Sequence, residues 1–142
     1  MSSQRLLQRP PLFAGLFLIQ LLFFYTSNGD VGTAAKYSPP YLPTVCYGDD
    51  STKFPQNNLF AAAGDGIWDN GAACGRQYLV RCITSVEGSC MPDKAILVKV
   101  VDLALNLSQP SAGGSTIVLS LTAFEAITNS TSGSVNIEFQ QL

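Results

Sequence analysis

Four cysteines in the middle of the chain, Cys46, Cys74, Cys82 and Cys90, constrain this sequence more than any other feature. An even number of cysteines in a small domain is typical of disulfide-bonded extracellular proteins. A structural zinc site is disfavoured, because the chain has no histidine and no Cys-x-x-Cys pair. Several disulfide pairings are possible, and the short loops favour Cys46–Cys74 with Cys82–Cys90. We expect no metal and no cofactor.

The first 29 residues have the layout of a secretory signal. Arg5 and Arg9 precede an apolar run from Leu12 to Tyr25, and small residues follow it. A membrane anchor is the alternative, but the run is shorter than the roughly 20 residues that cross a bilayer. We therefore predict a signal peptide over residues 1–29, cut between Ser27 and Gly32. The mature domain, residues 32–142, would then be extracellular, with no stable membrane insertion.

The charge of the mature domain argues against nucleic-acid binding. The chain has eight basic and ten acidic residues. Removing Arg5 and Arg9 by a cut before Asp30 makes the balance 6 − 10 = −4. Neutralising phosphates requires a basic surface, so no nucleic-acid partner is expected. The acidic charge and the small size favour a soluble monomer.

The mature part reads as one domain of short β-strands separated by turns. β-branched and aromatic content predicts strands, and a short helix is expected at Leu121, although Ser120 and Glu125 do not have the spacing of a capping box. The alternating pattern after Ser134 places Val135, Ile137 and Phe139 on one face. The predicted segments are 32–38, 59–64, 77–83, 95–103, 116–120 and 134–142. Six strands with one helix suggest a small β-barrel.

Few side chains could support catalysis. Without histidine, a Ser-His-Asp or Cys-His arrangement is impossible. Glycoside hydrolysis needs two carboxyl groups across a groove, and Asp102, at the end of an apolar strand, is the best candidate for one of them. The alternative, which we favour at this point, is that Asp102 caps backbone N–H groups. No second acid forms an obvious pair with it.

Aromatic residues near loops could instead bind a ligand. Tyr37, Tyr41 and Trp68 could stack on sugar rings, while core packing is an equal alternative for Trp68. Two Asn-x-Ser/Thr triplets, at Asn106 and Asn129, are possible N-glycosylation sites on surface loops.

Five blocks of sequence, and the order in which they occur, characterise the mature chain. They are GTAAKYSPPYLPTVCYG, LFAAAGDGIWDNGAACGRQYLVRC, ILVKVVD, STIVLSLTAFEAI and GSVNIEF. Together they resemble the plant natriuretic peptides and their blight-associated relatives. These small secreted proteins are similar to the first domain of expansins and to family-45 endoglucanases. The resemblance covers residues 32–139.

The resemblance implies a six-stranded double-psi β-barrel with one short helix. It also implies the disulfides Cys46–Cys74 and Cys82–Cys90. Most members of the wider family have two more cysteines just after the strand that ends in Val-Asp, where this chain has LALNLSQPSAGG. The family's third disulfide is therefore missing here.

The resemblance also implies a function without catalysis. Val118 occupies the position where expansins and the hydrolases place an aspartate, and Asp102 matches the other acidic position of the groove. We therefore predict a non-enzymatic apoplastic protein that acts in water and solute homeostasis and in stress or defence signalling, through an unidentified cell-surface receptor. In the family the active region would correspond to residues 39–69. The alternative is a module that binds cell-wall polysaccharide along a groove with Tyr37, Tyr41, Trp68 and Asp102.

Overall fold

The computed structural model of the chain describes residues 29–85, 89–108 and 114–142. The predicted signal segment, the turn at Gly88 and part of the loop after Asn106 lie outside these residues. No helix in the described part of the chain has the length and apolar character needed to span a bilayer.

Six strands form a closed barrel. They are β1 (Asp30–Tyr37), β2 (Phe60–Ala63), β3 (Gln77–Thr84), β4 (Ala95–Leu103), β5 (Ile117–Ser120) and β6 (Ser134–Gln141). Their order around the barrel is β1-β5-β2-β4-β3-β6. β1 pairs in parallel with β5, β2 pairs in parallel with β4, and the other four pairings are antiparallel. All six predicted strands are present, with ends that differ by a few residues.

The barrel interior is filled by one large cluster of buried side chains. Every strand contributes to it, for example Ala34, Val80, Val98, Ile117 and Ile137. β6 alternates as predicted, since Val135, Ile137 and Phe139 are all buried. The alternating pattern therefore identified the inner face correctly.

A second apolar cluster covers the outer face of part of the barrel. It is formed by Ala35, Tyr37, Phe60, Ala62, Val101, Ala104 and Val118. Tyr41 and Phe54, from the loop between β1 and β2, pack against it. Consequently β2 and β5 are buried on both faces and every residue in them is inaccessible. On this outer face the small side chain of Ala62 leaves room for the loop to lie close to the sheet.

Among the described residues, two α-helices follow barrel strands. α1 (Asp65–Trp68) is a single turn after β2, in a segment where the sequence predicted neither a strand nor a helix. α2 (Leu121–Ile127) is the predicted helix, and its start is well defined because Ser120 Oγ accepts a hydrogen bond from the Ala123 N–H, 3.2 Å away. Ser120 is thus an N-cap without the reciprocal glutamate of a capping box.

Two disulfides tie the loops to the barrel, and they link Cys46 to Cys74 and Cys82 to Cys90. These are the pairs that the loop lengths favoured and the resemblance implied. The first joins the β1–β2 loop to the turn before β3. The second closes the connection between β3 and β4. The described part of the chain contains no free cysteine.

Candidate functional site

The residues that flank Asp102 form a row across four neighbouring strands. In the β-ladder, Ala35 pairs with Val118, Val118 with Ala62, and Ala62 with Asp102. Val118 and Asp102 are therefore two strand spacings apart, about 10 Å at 4.8 Å per strand. An acid in place of Val118 would face Asp102 at a distance near that of the two acids in an inverting glycosidase.

Val118 itself is fully buried within the second apolar cluster. A carboxylate there would have to leave water without an obvious charged partner, which is costly. Of the two positions in the row that could hold acids, Val118 is therefore covered by side chains. Only Asp102 lines a cleft.

Asp102 is 4% exposed and held by two backbone groups. Its Oδ1 accepts hydrogen bonds from the N–H of Val45 (2.9 Å) and of Leu103 (2.8 Å). No described residue donates to Oδ2. Burial raises the pKa of Asp102, and the two N–H donors act in the opposite direction. The side chain therefore performs the backbone-capping role that the sequence favoured.

The cleft in front of Asp102, called the Asp102 cleft, has a volume of about 420 Å³. Asp102 is the only carboxylate among its lining residues. They are Tyr37, Pro40, Tyr41, Leu42, Pro43, Thr44, Val45, Asp102, Asn106, Leu107 and Ser108. The β1–β2 loop supplies one wall of the cleft, and the chain after β4 supplies the other.

Tyr37 lines the same cleft and is 1% exposed. Its hydroxyl is buried without a hydrogen-bond partner among the described residues. Burial raises the pKa of this hydroxyl strongly, and the nearby Asp102 charge raises it further. An unpaired buried hydroxyl is costly, so Tyr37 is a second polar group available to a ligand.

Tyr41 fixes the position of the loop wall. Its hydroxyl donates to the carbonyl of Tyr37 (3.1 Å) and accepts from the N–H of Leu121 (3.2 Å). Its ring makes edge-to-face contacts with Tyr37 and with Phe60, at 4.9 and 4.8 Å between centroids. Both tyrosines are thus engaged in packing, which limits their use as flat surfaces for sugar rings.

Trp68 lies in a different cleft, called the Trp68 cleft, with a volume of about 680 Å³. Its lining residues are Asp30, Asp65, Gly66, Ile67, Trp68, Asp69, Asn70, Arg76, Tyr78, Phe139 and Gln141. Asp30 begins β1 and Tyr37 ends it, so the two clefts lie at opposite ends of that strand, roughly 20 Å apart. The structure brings Tyr37, Tyr41 and Asp102 together and separates Trp68 from them.

The two glycosylation triplets are also separated. Asn106 is exposed on the rim of the Asp102 cleft. Asn129 is exposed elsewhere, beside Ser89, whose carbonyl accepts its backbone N–H. A glycan on Asn106 would stand over the cleft, and one on Asn129 would not. Among the described residues, no three potential metal-ligating side chains cluster.

Comparison with known proteins identifies the family. Residues 61–139 match the double-psi β-barrel family model described as lytic transglycolase. An EG45-like domain containing protein of Citrus jambhiri is 38% identical over 113 residues, which cover 78% of this chain and 79% of that protein. The chain belongs to the EG45-like family. EG45-like domain containing protein 2 of Arabidopsis thaliana is 33% identical over 76% of this chain and 77% of its own length.

The double-psi β-barrel of this EG45-like chain is shared with solved structures. An expansin of Clavibacter michiganensis, crystallised as a mutant with cellohexaose, superposes with a TM-score of 0.58 at 20% identity. The match covers 79% of this chain and 49% of the expansin, so the chain spans about half of that protein. The expected relationship to expansins is thereby confirmed at the level of the fold.

Proposed function

We propose that this EG45-like protein is secreted and non-catalytic, and that it acts in the apoplast by binding a cell-surface partner. As in the plant natriuretic peptides that it resembles, the response would concern water and solute homeostasis and stress or defence signalling. The observation that carries the proposal is the row that joins Val118 to Asp102, in which one carboxylate remains and the opposite position is a buried valine.

A single carboxylate supports binding better than hydrolysis. Glycoside hydrolysis requires one carboxyl group as acid and another as base or nucleophile. Asp102 is the only acid that lines its cleft, and the N–H groups of Val45 and Leu103 already occupy Oδ1. Asp102 is suited to accept a hydrogen bond from a ligand, but it has no partner for acid-base work.

Secretion is supported by the disulfides and by the N-terminal segment. Disulfides form and persist in oxidising compartments, and the apolar run after Arg9 has the form of a signal. β1 begins at Asp30, where Asp30 and Val31 already pair with Phe139 and Glu138. A cut before Asp30 would keep these pairs.

The partner-binding surface would be the loop wall of the Asp102 cleft. This wall belongs to the segment 39–69 that the resemblance implies, and the Cys46–Cys74 disulfide, the Tyr41 hydroxyl and Asp102 hold it. Val45 presents a 46% exposed apolar side chain there. Rigid loops with an exposed apolar residue are suited to recognition.

The test is a protoplast-swelling assay with secreted protein whose two disulfides are verified by mass spectrometry. We expect swelling with the wild-type protein, loss of the response in Val45→Glu, and full activity in Leu97→Glu. Leu97 is a matched control, since it is 37% exposed and lies on β4 away from the cleft. An inactive wild type, or equal loss in both variants, would reject the proposal.

Binding of a cell-wall polysaccharide in the Asp102 cleft is the second candidate. Among the described residues, Oδ2 of Asp102 accepts no hydrogen bond and the Tyr37 hydroxyl has no partner. These two groups favour the second candidate, since together they offer an acceptor and a donor in one cleft. Retention on insoluble glucan that Asp102→Asn abolishes would support this function. Release of reducing sugar that disappears in the same variant would instead indicate an enzyme.

A further inference from the structure

The Trp68 cleft is larger than the Asp102 cleft, and the proposed function does not use it. It opens at the end of the barrel where the start of β1, the start of β3 and the end of β6 meet. The ladder pairs Asp30 with Phe139 and Tyr78 with Gln141 at this end. We propose that this cleft is a separate binding site for a neutral oligosaccharide.

The aromatic part of the cleft is held in place before any ligand arrives. Trp68 is half-buried and packs against the large core cluster, with Tyr78 and Phe139 nearly buried beside it. Asp69, Asn70 and Gly71 have φ values of 55°, 52° and 95°, which turn the chain sharply after Trp68. The Trp68 carbonyl accepts the Ala73 N–H at 3.2 Å. A fixed indole offers apolar area at little cost in side-chain entropy.

The polar part of the cleft offers both donors and acceptors. Arg76 forms an ion pair with Asp69 (2.6 Å), and this hydrogen bond raises the pKa of the guanidinium. Asn70 and Gln141 add amide groups. Planar polar groups beside an aromatic ring suit the hydroxyls of a sugar, since a hydroxyl both donates and accepts.

The charge of the cleft selects among sugars. Three carboxylates, those of Asp30, Asp65 and Asp69, face one guanidinium, that of Arg76, so the formal charge is 1 − 3 = −2. Asp30 and Asp65 form no ion pair with any described residue. Uronic acids would be repelled. An organic cation would be repelled by the Arg76 guanidinium, and it offers only hydrogen-bond donors, so it could not accept from the N–H groups of Arg76, Asn70 and Gln141. A neutral chain of hexoses avoids repulsion by either charge, and its hydroxyls both donate and accept hydrogen bonds.

The chain contains a built-in reporter, because Trp68 is its only tryptophan. The whole protein, secreted from a eukaryotic host, would be titrated with cellohexaose and with the hexamer of galacturonic acid, and Trp68 emission recorded. We expect a saturable change with cellohexaose and a Kd about tenfold higher for the galacturonate. The absence of a saturable change with cellohexaose would overturn the proposal, as would equal affinity for the two sugars.

Substitutions inside and outside the cleft locate the binding. Asp65→Asn should narrow the difference between the two Kd values by removing one negative charge. Glu125→Gln changes an exposed acid on α2 that lines neither cleft, and should leave both Kd values within about twofold. Trp68→Phe, followed by calorimetry, should weaken cellohexaose binding by about tenfold. Weakening by Asp102→Asn instead would place the sugar in the Asp102 cleft and overturn this inference. The proposed signalling function is tested by the effect of Val45→Glu on swelling, and this inference is tested by sugar binding at the Trp68 cleft. Either result can therefore be negative while the other is positive.

Discussion

The hydroxyl of Tyr37 lies buried near the carboxylate of Asp102, in the wall of one cleft, and finds no hydrogen-bond partner among the described residues. The two groups could share a proton only through a ligand or a rearrangement of the loop. A folded protein that leaves a buried hydroxyl unpaired loses stability, and ligand sites are common places for such a loss.

Replacing Tyr37 by phenylalanine should therefore stabilise the protein. We expect the free energy of unfolding to rise by about 1 kcal/mol, since the unpaired hydroxyl is removed and the ring packing is kept. Urea denaturation measures the change. Tyr41→Phe is the matched control and should lose about 1 kcal/mol, because its hydroxyl makes two hydrogen bonds. A destabilised Tyr37→Phe would show that the hydroxyl has a partner.

The stability of the protein should depend on pH through Asp102. Burial raises its folded-state pKa, so the folded state holds this proton more tightly than the unfolded chain does. The unfolding free energy should then fall as pH rises from the ordinary carboxyl value of about 4 through the folded-state pKa. Asp102→Asn removes this dependence, so its stability relative to wild type should increase as pH rises from the ordinary carboxyl value of about 4 through the raised folded-state pKa.

Asp50 provides a control of opposite sign. Hydrogen bonds from Thr52 lower the pKa of Asp50, and this contribution to stability is present above the ordinary carboxyl value and lost as pH falls through the folded-state pKa. Asp50→Asn should therefore lose stability relative to wild type at neutral pH and less in acid. Parallel pH profiles for the two variants would contradict the assignment.

Ser120 should be important for the junction of β5 and α2. Its hydroxyl donates to the Asn58 carbonyl (2.7 Å) and accepts from the Ala123 N–H. Ser120→Ala would lose the helix cap and leave a carbonyl unpaired, so we expect a loss of about 2 kcal/mol in unfolding free energy. Thr122→Ala, exposed on the same helix, should change it by less than about 0.5 kcal/mol. Similar values for the two would show that Ser120 is no cap.

Restoring an acid at position 118 should damage the fold without producing an enzyme. Val118→Asp places a carboxyl group inside the second apolar cluster. We expect a loss of about 3 kcal/mol or more in unfolding free energy at neutral pH, with partial recovery in acid as the group is protonated. Val118→Thr keeps the shape and should lose about 1 kcal/mol. Reducing-sugar assays should stay at background for both. Release of reducing sugar by Val118→Asp would contradict this prediction, because it would mean that the side chain at position 118 can reach a bound substrate.

The strands were the part of this structure that the sequence predicted best. Alternation in β6 and the apolar content of β4 follow directly from burial on one or both faces. The start of α2 was harder to predict, because Ser120 caps the helix without a glutamate at the usual spacing. The helical turn at Asp65–Trp68 was missed, since glycine and aspartate there are typical of loops.

The membership of the candidate site could be predicted only in part. Asp102 was identified because a charge at the end of an apolar strand is costly unless it is paired or functional. Tyr37 and Tyr41 were identified as aromatic residues near a loop. The position of Trp68 depends on barrel closure, which brings the start of β1 and the end of β6 beside α1. Pairings of residues so far apart in the chain leave no local signal.

Closure of the barrel also restricts how another chain can associate with this one. Each of the six strands is hydrogen-bonded to a neighbour on both sides, so the described barrel strands leave no long row of unpaired backbone groups for an incoming strand. Recognition by strand addition, which many peptide-binding domains use, is therefore closed to the native protein. A partner would have to be recognised by side chains, and the closed barrel offers no edge that could serve as a template for fibrils.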